Sequence, residues 1–150
     1  MTRSGAELAL LLLSGFRTLV DAAVVELAER GYEDFRPAHE FAMRAIVAGA
    51  DSASELGRQT GVSKQAAAKT IGVLRERGYV DVQADEGDGR RKKLDVTELG
   101  FAAMREGEAV FEELRDQWID QAGASEIECL EALLRTLVKT PLIEITDPLG

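Results

Sequence analysis

Between Ser52 and Thr97 the sequence passes from a helical period to a period of two within 46 positions, and few folds tolerate that order. "SASELGRQT" opens with Ser52 and has Glu55 three residues on, which reads as a capping box at a helix start. Gly61 stops that helix, and Ser63 is a good N-cap for the next, Lys64 to Arg77, closed by Gly78. In this second helix Ala67, Ile71 and Leu74 recur at helical spacing, while Lys64, Gln65, Ala68, Lys69, Gly72 and Arg75 share the opposite face. The period then drops to two. "YVDVQA" places Val80, Val82 and Ala84 on one side, and "KLDVT" places Leu94 and Val96 inward. "DEGDGRRK" between them reads as a charged hairpin tip. Two short helices joined by a tight glycine turn make a helix-turn-helix, and the hairpin behind it makes a winged helix.

The charge is segregated around this unit. The 150-residue chain carries a formal net charge of −9, yet Leu56–Thr97 holds nine Lys/Arg against six Asp/Glu, a local +3. The remainder is therefore at −12. Overall acidity argues against indiscriminate polyanion binding, whereas a local cationic helix face and tip point to a specific anionic partner.

Helical patterns flank the unit. Leu8, Leu12, Phe16, Leu19, Ala23 and Leu27 mark a helix over about 6–30, stopped by Gly31. Its apolar start, Leu8–Leu13, reads as part of a buried helix. No small-x-small cleavage site follows, and Arg17 and Asp21 cut the run below bilayer length. Pro37 starts a second helix to about Val47, with Phe41 and Ala45 inward. After the wing, Thr97 caps a helix to about Gln121, striped by Phe101, Met104, Phe111, Leu114 and Trp118. "AGAS" breaks it, and Ser125 with Glu128 reads as a second capping box for a last helix to about Lys139. Ile127, Leu130, Leu134, Leu137 and Val138 line that helix's inner face. The fold class is therefore mainly α (α+β). Residues 1–36 and 121–150 read as a helical dimerisation region, 37–97 as the winged helix-turn-helix, and 98–120 as a long helix linking the two.

"SASELGRQTGVSKQAAAKTIGVLRERGYV" followed by "DGRRKKLDVTELG" resembles the MarR family of transcription regulators over nearly the whole chain. The second stretch is similar to that family's wing signature, with Val96 where leucine is usual. The resemblance implies a cytoplasmic homodimer that binds double-stranded DNA, usually as a repressor, and responds to a small molecule. It carries DNA contact onto Ser63, Lys64, Gln65, Ala68, Lys69 and Thr70, and onto Arg90, Arg91 and Lys92 of the wing. Asp88 takes the place of the acidic residue that orients the wing arginine. An effector pocket would involve Phe16, His39, Phe41, Met104 and Phe111.

The residues themselves support the same chemistry. A helix N-terminus offers free amides to phosphate. Gln65 can pair with adenine and Lys69 with guanine or phosphate, Ala68 can meet a thymine methyl, and an arginine at a tip suits a narrow minor groove. The competing use is a winged helix that binds proteins through its acidic body. Such a module has no need for cations on the helix face and the tip together. An enzyme finds little support: there is no phosphate-binding glycine loop, no zinc spacing, and no nucleophile paired with a histidine. With a single cysteine, Cys129, and a single histidine, His39, no disulfide framework, metal or cofactor site is expected.

Overall fold

Four of the six helices start at a hydroxyl that accepts a first-turn amide. The computed structural model describes residues 4–84 and 92–138. The elements are α1 (Gly5–Glu29), α2 (Pro37–Val47), α3 (Ala53–Thr60), α4 (Lys64–Glu76), β1 (Val80–Ala84), β2 (Lys92–Val96), α5 (Glu98–Ala122) and α6 (Ala124–Leu137). Ser4, Ser52, Ser63 and Thr97 each accept a hydrogen bond from a backbone amide in the first turn of the helix they cap. Gly61 and Gly78 end α3 and α4 with φ of 74° and 77°, values a side chain resists.

Two sequence expectations fail at helix starts. Glu55 does not return to the amide of Ser52, because its carboxylate is held by Arg58 and Gln59. Ser125 does not cap α6: the cap is Gly123 at φ 109°, so Ser125 lies inside the first turn and bonds Glu126 instead.

β1 and β2 form one antiparallel pair, with Val80 opposite Val96 and Val82 opposite Leu94 on the inward face. One core joins every element except α6. Ala23 and Leu27 of α1 meet Met43 and Ile46 of α2, Leu56 of α3, Leu74 of α4, Leu94 of β2, and Met104 and Val110 of α5. Each large apolar side chain buried here contributes roughly 1.5–3 kcal/mol.

The first half of α1 departs from the sequence reading. Leu8, Leu11 and Phe16 are 62%, 63% and 54% exposed, although the apolar run points to a buried helix. Periodicity identifies an apolar face but not its cover. Here a side chain at Gly15 would stand 3.7 Å from the Trp118 ring, and the space between α1, α5 and α6 is an open apolar groove of about 580 Å³. Leu133 and Leu137 of α6 are exposed as well. Arg17 and Asp21 do not shorten the apolar run as expected, since α1 contains an 18-residue window of mean hydropathy 1.9 and is long and apolar enough to cross a membrane.

Candidate nucleic-acid interface

The turn between α3 and α4 is built on a close backbone approach. The amides of Gly61 and Val62 both reach the carbonyl of Gly57, the second at 3.0 Å. A methyl group on Gly57 would lie 2.8 Å from the Val62 oxygen and 3.2 Å from the Ser63 oxygen. Only glycine lets the chain turn this tightly against α3. The turn delivers Ser63, whose Oγ accepts from the Ala66 amide at 3.1 Å, and so fixes the start of α4.

Ala67 and Leu74 bury one face of α4, and Ile71 is half-buried beside them. Lys64, Gln65, Ala68 and Lys69 are exposed on the other. Gly72 and Arg75 continue that face, and nothing stands within 4 Å of the position a Gly72 side chain would take. The result is an open helix face with cations, one amide, small residues and unsatisfied N-terminal amides, the elements that phosphate and major-groove contact require. Thr70 is less available than its neighbours. It is half-buried, and its hydroxyl donates to the Ala66 carbonyl at 3.1 Å.

One hydroxyl joins the wing to this helix. Thr97 Oγ1 donates to the Gly78 carbonyl at 2.6 Å and accepts from the Gly100 amide at 3.1 Å, while the Thr97 amide donates to the Tyr79 carbonyl at 3.0 Å. A side chain on Gly100 would collide with that Tyr79 oxygen at 2.2 Å. The end of α4, the root of the hairpin and the start of α5 are thus one joint. Asp88, Arg90 and Arg91 lie outside the described residues, and Lys92 is described only as the strand partner of Ala84. Lys93 is exposed on the hairpin's outer face.

The five residues considered for an effector pocket do not share one cavity. Phe16 and Phe41 line a cavity of about 550 Å³ between α1 and α2, with Val20, Val24, Asp34, Arg36 and Pro37. Phe111 stacks on Phe41 with ring centroids 6.1 Å apart, but itself lines the α1–α5–α6 groove. Met104 is fully buried in the core. His39 is buried too, packs against Phe35, and lines neither cavity. Its Nδ1 accepts from the Arg36 amide at 3.0 Å, so the sole histidine shapes the start of α2. Burial, reinforced by the nearby Arg77 charge, lowers its pKa and favours the neutral ring that this bond needs. Among the described residues no group of three or more His, Cys, Asp or Glu is placed to hold a metal. Cys129 is exposed on α6.

Three polar clusters were not visible in the sequence. Arg30 binds Glu26, Glu106 and Glu113 at 3.2, 3.3 and 2.6 Å, tying α1 to α5. Glu40 is 1% exposed; its Oε1 accepts from Arg44 at 3.0 Å, while its Oε2 has no hydrogen-bond partner among the described residues and lies against Gly107 of α5. Asp34 holds Arg36 at 3.0 Å and Arg77 at 3.4 Å, and its pKa is lowered chiefly by the Arg36 hydrogen bond. Glu26 with Arg30 and Glu40 with Arg44 are pairs four apart that helical spacing allows, whereas the links to α5 and from Asp34 to Arg77 join distant positions that no local pattern records.

Comparison with known proteins agrees with this geometry. Residues 41–91 match the sequence model of the MarR family. FabT of Streptococcus pneumoniae, solved in complex with DNA, is 19% identical, covers 91% of this chain and 96% of its own, and superposes with a TM-score of 0.72. CouR of Rhodococcus jostii RHA1, solved with p-coumaroyl-CoA bound, is 16% identical over 88% of this chain and 92% of its own, with a TM-score of 0.68. A Mycobacterium tuberculosis MarR family protein in complex with p-aminosalicylic acid is 21% identical over 88% and 98%, with a TM-score of 0.70.

Proposed function

We propose that the chain is a winged helix of the MarR family and a homodimeric regulator that represses transcription by binding a pseudo-palindromic operator. The observation that carries this reading is the outer face of α4. A helix packed by Ala67 and Leu74 turns Lys64, Gln65, Ala68 and Lys69 to solvent on a firmly capped N-terminus. Ser63 and Lys64 meet phosphate, Gln65 and Lys69 meet base edges, and Thr70 contributes at the margin of the face. Arg90, Arg91 and Lys92 extend the contact from the wing, with Asp88 orienting them. The acidic remainder of the chain turns DNA away from every other surface.

Dimerisation is supported by the apolar surface that one chain leaves open. Residues 1–36 and 121–150 supply it, through the first half of α1 and the outer face of α6. A second copy covers both and explains an α1 of membrane-spanning hydropathy in a cytoplasmic DNA-binding protein. Residues 98–120 connect this layer to the winged helix at 37–97. Two recognition helices related by a two-fold axis read half-sites about 10 bp apart. A small-molecule effector is supported by the α1–α2 cavity and by the ligands present in the CouR and M. tuberculosis structures.

Fluorescence anisotropy on labelled duplex from upstream of the protein's own gene, with a scrambled duplex as control, tests the proposal. Selective binding should weaken steeply with salt, and Lys69→Ala should reduce the log–log salt slope by about 1 if Lys69 meets a phosphate. Arg90→Ala/Arg91→Ala should abolish selectivity. Failure of the wild type to bind any duplex at low salt, including duplexes drawn from a random pool, would refute DNA binding and leave the protein-partner alternative.

A further inference from the structure

The loop between α1 and α2 meets the far end of α4 at two adjacent points. Phe35, 1% exposed, packs edge-on against Tyr79 with ring centroids 5.8 Å apart at 85°. Tyr32 and His39 flank it at 6.0 and 5.9 Å. This contact is apolar and weakly directional, so it fixes a position better than an angle.

The neighbouring residue supplies direction. Among the described residues Asp34 alone, apart from glycines, has a positive φ, at 54°. An L-residue adopts that conformation at a cost. With it Asp34 offers two acceptors to a single guanidinium. Arg77 Nη1 donates to the Asp34 backbone carbonyl at 3.0 Å, and Nη2 donates to Oδ2 at 3.4 Å. The other carboxylate oxygen takes Arg36 Nε at 3.0 Å. Arg77 is the C-cap residue of α4. With 13 residues, α4 is about 20 Å long, so a turn of about 5° at this end moves Lys64 by about 1.7 Å.

We propose that Asp34 is a positioning residue for DNA recognition: by gripping Arg77 across 43 positions of sequence, it sets the angle at which α4 stands on the α1–α2 loop. The inference rests on the DNA-binding reading above. It makes the loop a direct link from α1, the helix that faces the second copy, to the helix that meets DNA. The same loop walls the α1–α2 cavity through Asp34, Arg36 and Pro37.

Charge and geometry predict opposite signs, which makes the proposal testable. Removing a carboxylate from a DNA-binding protein tightens binding on charge alone. Losing the grip weakens it. In the full-length chain Asp34→Asn keeps a residue that accepts positive φ and leaves the backbone carbonyl bond to Arg77 Nη1 in place, but it removes the charge that strengthens the grip through Nη2 and Oδ2. Anisotropy should show roughly fivefold weaker operator binding for Asp34→Asn, with the dimer intact by sedimentation. Arg77→Gln should weaken binding, and Asp34→Asn/Arg77→Gln should bind no worse than Arg77→Gln alone, since the two residues act as one unit. Hydrogen exchange on the free protein supplies a second readout: in Asp34→Asn, amides in the last turn of α4 and at Tyr79 should exchange severalfold faster, with α6 unchanged. Unchanged or tighter binding by Asp34→Asn, additive losses in the double variant, or unaltered exchange at α4 would each overturn the proposal. A wild type that binds no duplex refutes DNA binding itself, and the exchange arm then still decides whether Asp34 holds α4.

Discussion

Replacing Gly57 by alanine sets two physical effects of known size against each other. Gly57 lies within α3, where alanine is favoured over glycine by about 1 kcal/mol on helix propensity. The added methyl, however, would sit 2.8 Å from the Val62 carbonyl oxygen and 3.2 Å from that of Ser63. Both obstacles are backbone, and the turn that carries them is pinned to Gly57 by the 3.0 Å bond from the Val62 amide. Relief requires the turn to move by about half an ångström, at an overpacking cost of roughly 1–3 kcal/mol. The clash should win, with a net loss of about 1 kcal/mol. For a chain of this size each kcal/mol lowers Tm by about 2–4 °C. Calorimetry should therefore show a lower Tm at matched protein concentration, the control that the proposed dimer requires. The displacement also reaches Ser63, the cap of α4, so operator binding should fall by about tenfold, which corresponds to about 1.4 kcal/mol. A variant with raised Tm and undiminished binding would refute the reasoning, because it would mean that propensity outweighs the close approach.

Three further outcomes follow from the same kind of argument. Gly107→Ala should destabilise by roughly 1–3 kcal/mol in urea unfolding, because its methyl would lie 2.8 Å from the buried Glu40 carboxylate; in a Glu40→Ala background the same change should become stabilising by about 1 kcal/mol. Thr97→Ala removes both the cap of α5 and the donor to Gly78, and should cost about 1–2 kcal/mol, with little loss expected for Thr97→Ser. Glu40 has a pKa raised by burial, and by Glu108 to a lesser degree, against the opposing pull of Arg44. The folded chain then holds this proton more tightly than the unfolded one, so the associated stability is present below the ordinary value of 4.5 and is lost as pH rises through the folded pKa. The stability of Glu40→Gln relative to wild type should therefore grow from pH 4.5 to pH 7 in denaturant titrations, and a flat or shrinking difference would contradict that assignment.

What the sequence discloses here is what short-range physics decides. Ser63, Gly61, Gly78 and Thr97 announce helix ends because a cap or a left-handed residue acts within four positions of itself. The alternation through Val80, Val82, Leu94 and Val96 gives the hairpin its register for the same reason. Ser125 misleads because Gly123 competes for the same cap and wins by accepting φ 109°. The apolar stripe of α1 is real, but half of it lies exposed in the single chain, and nothing local distinguishes a stripe that meets the core from one that does not. Arg77 with Asp34 and Glu40 with Gly107 are hidden more deeply, since each joins positions far apart in the chain and neither breaks a local rule. The exposed face of α4 was legible because it is the complement of a buried stripe. His39 and Met104 could not be placed in or out of a cavity from one dimension of information.

The joint at Thr97 separates what can vary from what cannot. Its hydroxyl and the bare backbone of Gly100 clamp the root of the hairpin to the end of α4, so the root transmits no slack in either direction. The bonds of that clamp lie at Gly78, Tyr79, Thr97 and Gly100, at the base of the hairpin. Charge or length in the sequence between Ala84 and Lys92 can drift over generations without touching that clamp, and residues on the α4 face can be exchanged while the hairpin base keeps its own bonds. Under the proposed function, a lineage built on this joint has two independent dials for retuning its choice of DNA, and a population can turn one without first resetting the other.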